Sequence, residues 1–157
     1  MKLFRMGLIV VMLFGAWPVL AQEMSADTMQ ALKEKVKADK KLVVSANMDL
    51  TEAEGKNFWP LYEAYQKDLG QLNQNLVKVI KDYADAYNKG PVPNDTAKKL
   101  LSEALSVEDA EVKLKHSYAE KLNKVLPATK VARYIQIETK IRAVVKYELA
   151  SQIPLAK

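Results

Sequence analysis

The sequence predicts an all-α fold, and three observations carry that prediction. Of its 157 residues, 73 are Ala, Glu, Lys, Leu or Arg, close to the roughly one-half share at which long helices become the leading expectation. Beyond residue 21, apolar residues recur at spacings of three and four, and no alternating apolar–polar run exceeds three or four positions, so periodicity favours helices over strands. Proline and glycine gather between the periodic stretches, at 90–93 and at Pro127, where helices stop and start. The length suits one domain with a proper core.

The first element is an address. Lys2 and Arg5 precede an apolar run from Met6 to Trp17, and Val19-Leu20-Ala21 places small residues before Gln22. This is the three-part pattern of a secretory signal peptide over 1–21, with cleavage expected after Ala21. The run is short for a hydrocarbon core of roughly 30 Å, and Pro18 stands where a spanning helix would continue. Without Lys2 and Arg5 the net charge falls from +5 to +3. That balance favours solubility and does not point to nucleic acid. The remaining 22–157 reads as a single helical domain, and a cysteine-free exported chain fits a bacterial periplasm.

Four helices are expected in that domain. The first starts at Asp27 and runs to about Ala46, with Met29, Leu32, Val36 and Val43 on one stripe and Asn47 as its stop. The second opens on Thr51-Glu52-Ala53-Glu54, a capping box in which the Thr51 hydroxyl accepts from the Glu54 N–H and the Glu54 carboxylate reaches back. Leu50, just before the cap, staples onto the first turn. Behind the box, Phe58, Tyr62, Tyr65, Leu69, Leu72, Leu76, Val79, Tyr83 and Ala86 alternate spacings of four and three, a coiled-coil-like seam. From Glu52 to Asn88 this helix is about 55 Å long. Pro60 lacks the N–H that would reach the Lys56 carbonyl and restrains Trp59, so a kink or short break is expected there, with 51–59 as a small hook. Gly90, Pro91 and Pro93 end the rod.

Asn94 or Asp95 is expected to cap the third helix, which runs to about Val125. Leu100, Leu101, Ala104, Leu105, Val107, Leu114, Tyr118, Leu122 and Val125 form its stripe, and Glu108 and Glu111 suggest a partly solvated middle. Pro127 suits the first position of a fourth helix. Val131, Tyr134, Ile135, Ile137, Ile141, Val144, Val145 and Leu149 cover much of that helix's girth before Pro154 closes it. Such a helix is either central to the core or meets a partner chain.

Chemistry is scarce by comparison. The absence of cysteine excludes disulfides, thiolate metal sites and cysteine nucleophiles. His116 is the one histidine; with Glu120 at i+4 it offers at most a weak metal site, because a Glu-x-x-His pair would need an acid where Lys113 stands. Ser117 beside it lies on a different helix face. Gly55, Gly70 and Gly90 are too scattered for a phosphate loop. The expectation is a non-enzyme without a cofactor. The Lys33, Lys35, Lys37, Lys40 and Lys41 run, diluted by Glu34 and Asp39, reads as a solvated face.

Leu50-Thr51-Glu52-Ala53-Glu54 resembles the LTXXQ motif of the Spy/CpxP family of bacterial periplasmic stress proteins, with Glu54 in place of Gln. A second echo follows 76 residues later: Leu126-Pro127-Ala128-Thr129-Lys130, with Tyr134 at the offset of Phe58. The resemblance implies an elongated hairpin-type protomer of four helices with a long kinked second helix, wrapped antiparallel with a second copy into a thin curved dimer. It implies that Leu50, Thr51 and Glu54 shape the helical hook and the dimer rather than touch ligand; Phe58, Trp59 and Pro60 complete the cap-and-hook motif, and Leu126, Pro127 and Tyr134 belong to its second echo. It further implies a periplasmic, ATP-independent chaperone or envelope-stress adaptor. Its partners would be unfolded or partly folded envelope proteins, and a sensor or other membrane protein where it reports stress. A structural helical module that docks one envelope protein, without general chaperone activity, is the alternative.

Overall fold

The computed structural model describes residues 38–156; the expected signal peptide and the first-helix positions Asp27, Met29, Leu32 and Val36 lie outside the described residues. The chain divides into two compact units, 1–42 and 43–157. Of the first, only the helical residues 38–42 are described; the second holds the core and the three long helices. The described residues form helices and turns without a strand: α1 (38–48), α2 (Glu52–Tyr87), α3 (Asn94–Leu122) and α4 (Ala128–Gln152).

The end of α1 departs from the expectation by two residues. The helix continues through Asn47, whose side-chain amide donates back to the Val43 carbonyl at 2.7 Å. It stops after Met48 because Asp49 takes a left-handed backbone, φ 48°, a conformation that ends helices and that a short polar side chain tolerates. The buried face belongs to Val44 and Met48, both 0% exposed, one position on from the expected Val43.

α2 is helical without interruption over 36 residues, with Pro60 inside it. Of the kink or short break expected, the break is therefore absent, and 51–59 leads into the same helix. Pro60 and Lys56 are both exposed, and a carbonyl that loses its intrahelical donor is least costly on the watery side of a helix. The first half of the seam is core: Phe58, Tyr62, Tyr65 and Leu69 are buried. Toward the far end Leu72, Leu76 and Tyr83 are half-buried. Gly90, at φ 128°, turns the chain into α3, and Val92 pins that loop.

Neither Asn94 nor Asp95 caps α3, and Pro127 is not the first residue of α4. Both helices take a proline as N-cap, Pro93 and Pro127, with no side-chain hydrogen bond. The extended backbone that proline favours sets the entry, and the Pro93 and Pro127 carbonyls accept from Ala97 and Val131 at 2.9 and 3.1 Å. α3 also ends three residues early, at Leu122, with 123–125 as a turn.

One aromatic-rich core unites the elements. Val44, Met48, Phe58, Tyr62, Tyr65, Leu69, Tyr118, Leu122, Leu126, Val131 and Tyr134 form a contiguous buried cluster. Its rings meet edge to face: Phe58 and Tyr134 at 5.1 Å, Tyr65 and Tyr118 at 5.3 Å, Tyr65 and Tyr134 at 5.9 Å. Such pairs add about 0.5–1.5 kcal/mol each beyond the burial of their area.

Candidate functional site

The capping box forms as its residues predict. The Thr51 N–H donates to Glu54 Oε2 at 2.8 Å, and the Glu54 N–H donates to Thr51 Oγ1 at 3.3 Å. Glu54 Oε2 then accepts a third bond, from Lys130 Nζ at 2.6 Å, and the same ammonium donates to the Asp49 carbonyl at 2.7 Å. The lysine thus ties the end of α1 and the start of α2 to the first turn of α4. Its hydrogen bond, with that of the Thr51 amide, holds the Glu54 carboxyl below its ordinary value.

The two segments therefore meet at two equivalent positions. Glu54 pairs with Lys130, and Phe58 packs on Tyr134; each pair is separated by 76 residues, the offset between the two sequence segments. The glutamate and the lysine are complementary in charge. Leu50 is half-buried against the core and Leu126 is buried. Trp59 is half-buried, its ring 5.0 Å from Phe58 and 5.4 Å from Tyr62. Pro60 and Pro127 are exposed. An open cleft of about 590 Å³ lies beside the start of α2, lined by Leu50, Thr51, Gly55, Trp59 and Pro60 among others.

A second arrangement was not expected. Glu111, read from sequence as part of a solvated stretch, is 2% exposed. It accepts from Lys115 Nζ at 2.9 Å and from Arg142 Nε at 2.9 Å, and Arg142 Nη1 donates to Asn73 Oδ1 at 2.7 Å. Burial alone would push the Glu111 carboxyl up, but the Lys115 hydrogen bond and the Arg142 charge together hold it below its ordinary value. One turn toward the start of α4, the buried Glu138 accepts from Gln66 Nε2 at 2.8 Å. Tyr118 Oη donates to Asp68 Oδ2 at 2.7 Å; burial, then that bond, push its pKa up to about 12. These groups clamp the three long helices to one another. The sequence signal, Glu111–Lys115 and Glu138–Arg142 at i,i+4, is the same one a solvated helix face gives.

The outer surface is the remaining candidate. Leu101, Leu105 and Val112 are 61%, 53% and 53% exposed, so part of the expected α3 stripe faces water. They fall in one row at spacings of four and seven, with the exposed Glu108, bridged to Lys146, between Leu105 and Val112. The exposed Val144 and Val145 of α4 lie near the bridges from Lys146 to Glu108 and from Arg142 to Glu111 that join the two helices. His116 is exposed, and among the described residues no group of His, Cys, Asp or Glu is placed to hold a metal ion. No described helix is long and apolar enough to cross a membrane. No family model, curated protein or solved structure matches the chain.

Proposed function

We propose that the protein is an ATP-independent periplasmic chaperone or envelope-stress adaptor that transiently covers unfolded or partly folded envelope proteins. The observation that carries this reading is the exposed apolar row Leu101, Leu105 and Val112 on α3. Apolar side chains aligned on a rigid helix capture hydrophobic segments that a client exposes, since each buried methylene is worth about 0.8 kcal/mol. Aligned exposed apolar residues mark interaction surfaces more often than scattered ones. The resemblance to the Spy/CpxP pattern at Leu50–Glu54 and Leu126–Lys130 supports the same reading, as does the signal-like start. A curved antiparallel homodimer, with no enzymatic activity, belongs to this proposal.

The test is light scattering from a chemically unfolded, unrelated client diluted into buffer with increasing protein and no ATP. Suppression that saturates near one dimer per client, and that falls several-fold in L101S/L105S/V112S, is the expected result. A folded, helical protein that leaves scattering unchanged would overturn the proposal in favour of a helical module dedicated to one envelope partner.

A further inference from the structure

α4 has an unusual outer surface. Its only acids are Glu138 and Glu148; the first is buried and the second half-buried, so every exposed position of the helix is free of negative charge. The exposed positions of α3, by contrast, mix Lys98, Lys113 and Lys121 with Glu108, Asp109 and Glu120, as a solvated helix does. Along α4 the exposed Arg133, Gln136, Lys140, Val144 and Tyr147 follow one another at spacings of three and four, which aligns them in a single row. Arg133 and Lys140 are about 10 Å apart along the axis. Neither forms an ion pair or hydrogen bond with any described residue. With Asn47, Gln136 and Ile137 they line a groove of about 330 Å³, the low end of small-ligand clefts at about 300–1,000 Å³.

We infer that this outer face of α4 docks on an anionic lipid surface, with a phosphate-bearing headgroup held in the groove between Arg133 and Lys140. A guanidinium presents paired donors that match two phosphate oxygens, and an ammonium adds a point charge. The side-chain amide of Gln136 lies between them along the row and can donate as well. One and two turns further on, Val144 is 42% and Tyr147 72% exposed. A tyrosine ring and an aliphatic side chain sit favourably at the level where headgroups meet hydrocarbon. A plane of negative charge favours a face whose exposed positions carry no acid, which is the property α4 has. A short acidic peptide would require it only at the groove. The surface lies on a different helix from the α3 row, so the inference does not depend on client binding.

The experiment is co-sedimentation of the full chain with vesicles of phosphatidylglycerol in phosphatidylcholine, and with phosphatidylcholine alone, at low and physiological salt. The phosphatidylcholine arm measures what the apolar stretch Met6–Trp17 contributes, and every variant shares that stretch. Loss of each cation is expected to weaken binding to the anionic vesicles about fivefold. R133Q/K140Q should therefore bind about 25-fold more weakly, with Y147S weakening it too and added salt acting like the double variant. K98Q/K113Q, which removes the same charge from α3, should stay within about twofold of the parent. Equal weakening by K98Q/K113Q, or no difference between the two vesicle types, overturns the inference. So does binding of inorganic phosphate, seen by NMR titration, without vesicle binding, which assigns the groove to a soluble ion. Stronger capture by polyglutamate than by vesicles overturns it in favour of an acidic chain.

Discussion

Removing either partner of the Glu111–Arg142 pair should destabilise the protein, but by unequal amounts. In E111M the methionine fills the space of the glutamate stem, and Arg142, with a side chain 11% exposed, keeps only its bond to Asn73. Arg142 Nη2 is already buried without a partner among the described residues, so Nε becomes a second unmet donor on a charged group. Each unmet buried donor costs about 1–3 kcal/mol, more when charged, and a broken buried pair costs about 3–5 kcal/mol. Loss of about 3 kcal/mol is expected. In R142M, Glu111 still accepts from Lys115 at 2.9 Å and lies 3.6 Å from Lys146, and the unmet Nη2 disappears with the arginine. Those gains offset most of the lost charge-assisted bond, leaving about 1 kcal/mol. The double variant E111M/R142M buries two apolar chains against each other and should lie within about 1 kcal/mol of the parent. Urea unfolding followed by circular dichroism, with equal slopes across the set, measures all three. A double variant no more stable than E111M, or an R142M loss equal to that of E111M, would refute this account.

Thr51→Ala removes one half of the capping box and should cost about 1 kcal/mol, read as a drop of a few degrees in Tm; an unchanged melting curve means that Thr51 caps nothing. Phe58→Ala empties a fully buried site in the aromatic cluster and should cost about 3–5 kcal/mol; a loss under 1 kcal/mol would contradict the packing described. Acid should weaken the fold in a defined window. Glu54 and Glu111 both lie below their ordinary value of 4.5, so their contribution is present above that pH and is lost as pH falls through the lowered values. The urea midpoint should decline below pH 4.5, less steeply in E111M, and a flat midpoint down to pH 3 would contradict it. Alkali acts the other way. Tyr118, raised from 10 to about 12, holds its proton longer folded than unfolded. Stability should therefore fall as pH rises from 10 toward 12, with the phenolate absorbance appearing late.

Much of the architecture was legible in the residues because helices announce themselves locally. The capping box at Thr51–Glu54, the seam from Phe58 to Leu69 and the punctuation at Gly90–Pro93 each depend on neighbours within a few positions. Where the structure differs from expectation, the deciding contact is distant or the local rule is permissive. Pro60 is expected to kink or briefly break α2, yet the helix runs through it, with Pro60 itself exposed and the apolar seam from Phe58 to Leu69 packed. Asn94 and Asp95 could cap α3, but the extended backbone of Pro93 already sets the start. Glu111 looks solvated because its i,i+4 partner Lys115 is what a surface helix would carry; only Arg142, 31 residues away, makes it a buried clamp.

The sequence by itself determined that this chain is helical, where its long rod begins, and which aromatic seam would be buried, since backbone hydrogen bonding, caps and periodicity are short-range properties. Tertiary structure alone decided that Glu54 meets Lys130 and Phe58 meets Tyr134. It also decided that Glu111 is buried while Leu101 and Leu105 are not, and that the outer face of α4 is left without an acid. Those outcomes depend on which faces three long helices turn toward one another. That rotation is set by the collective packing of rings and clamps drawn from all of them, and no local window of residues contains it.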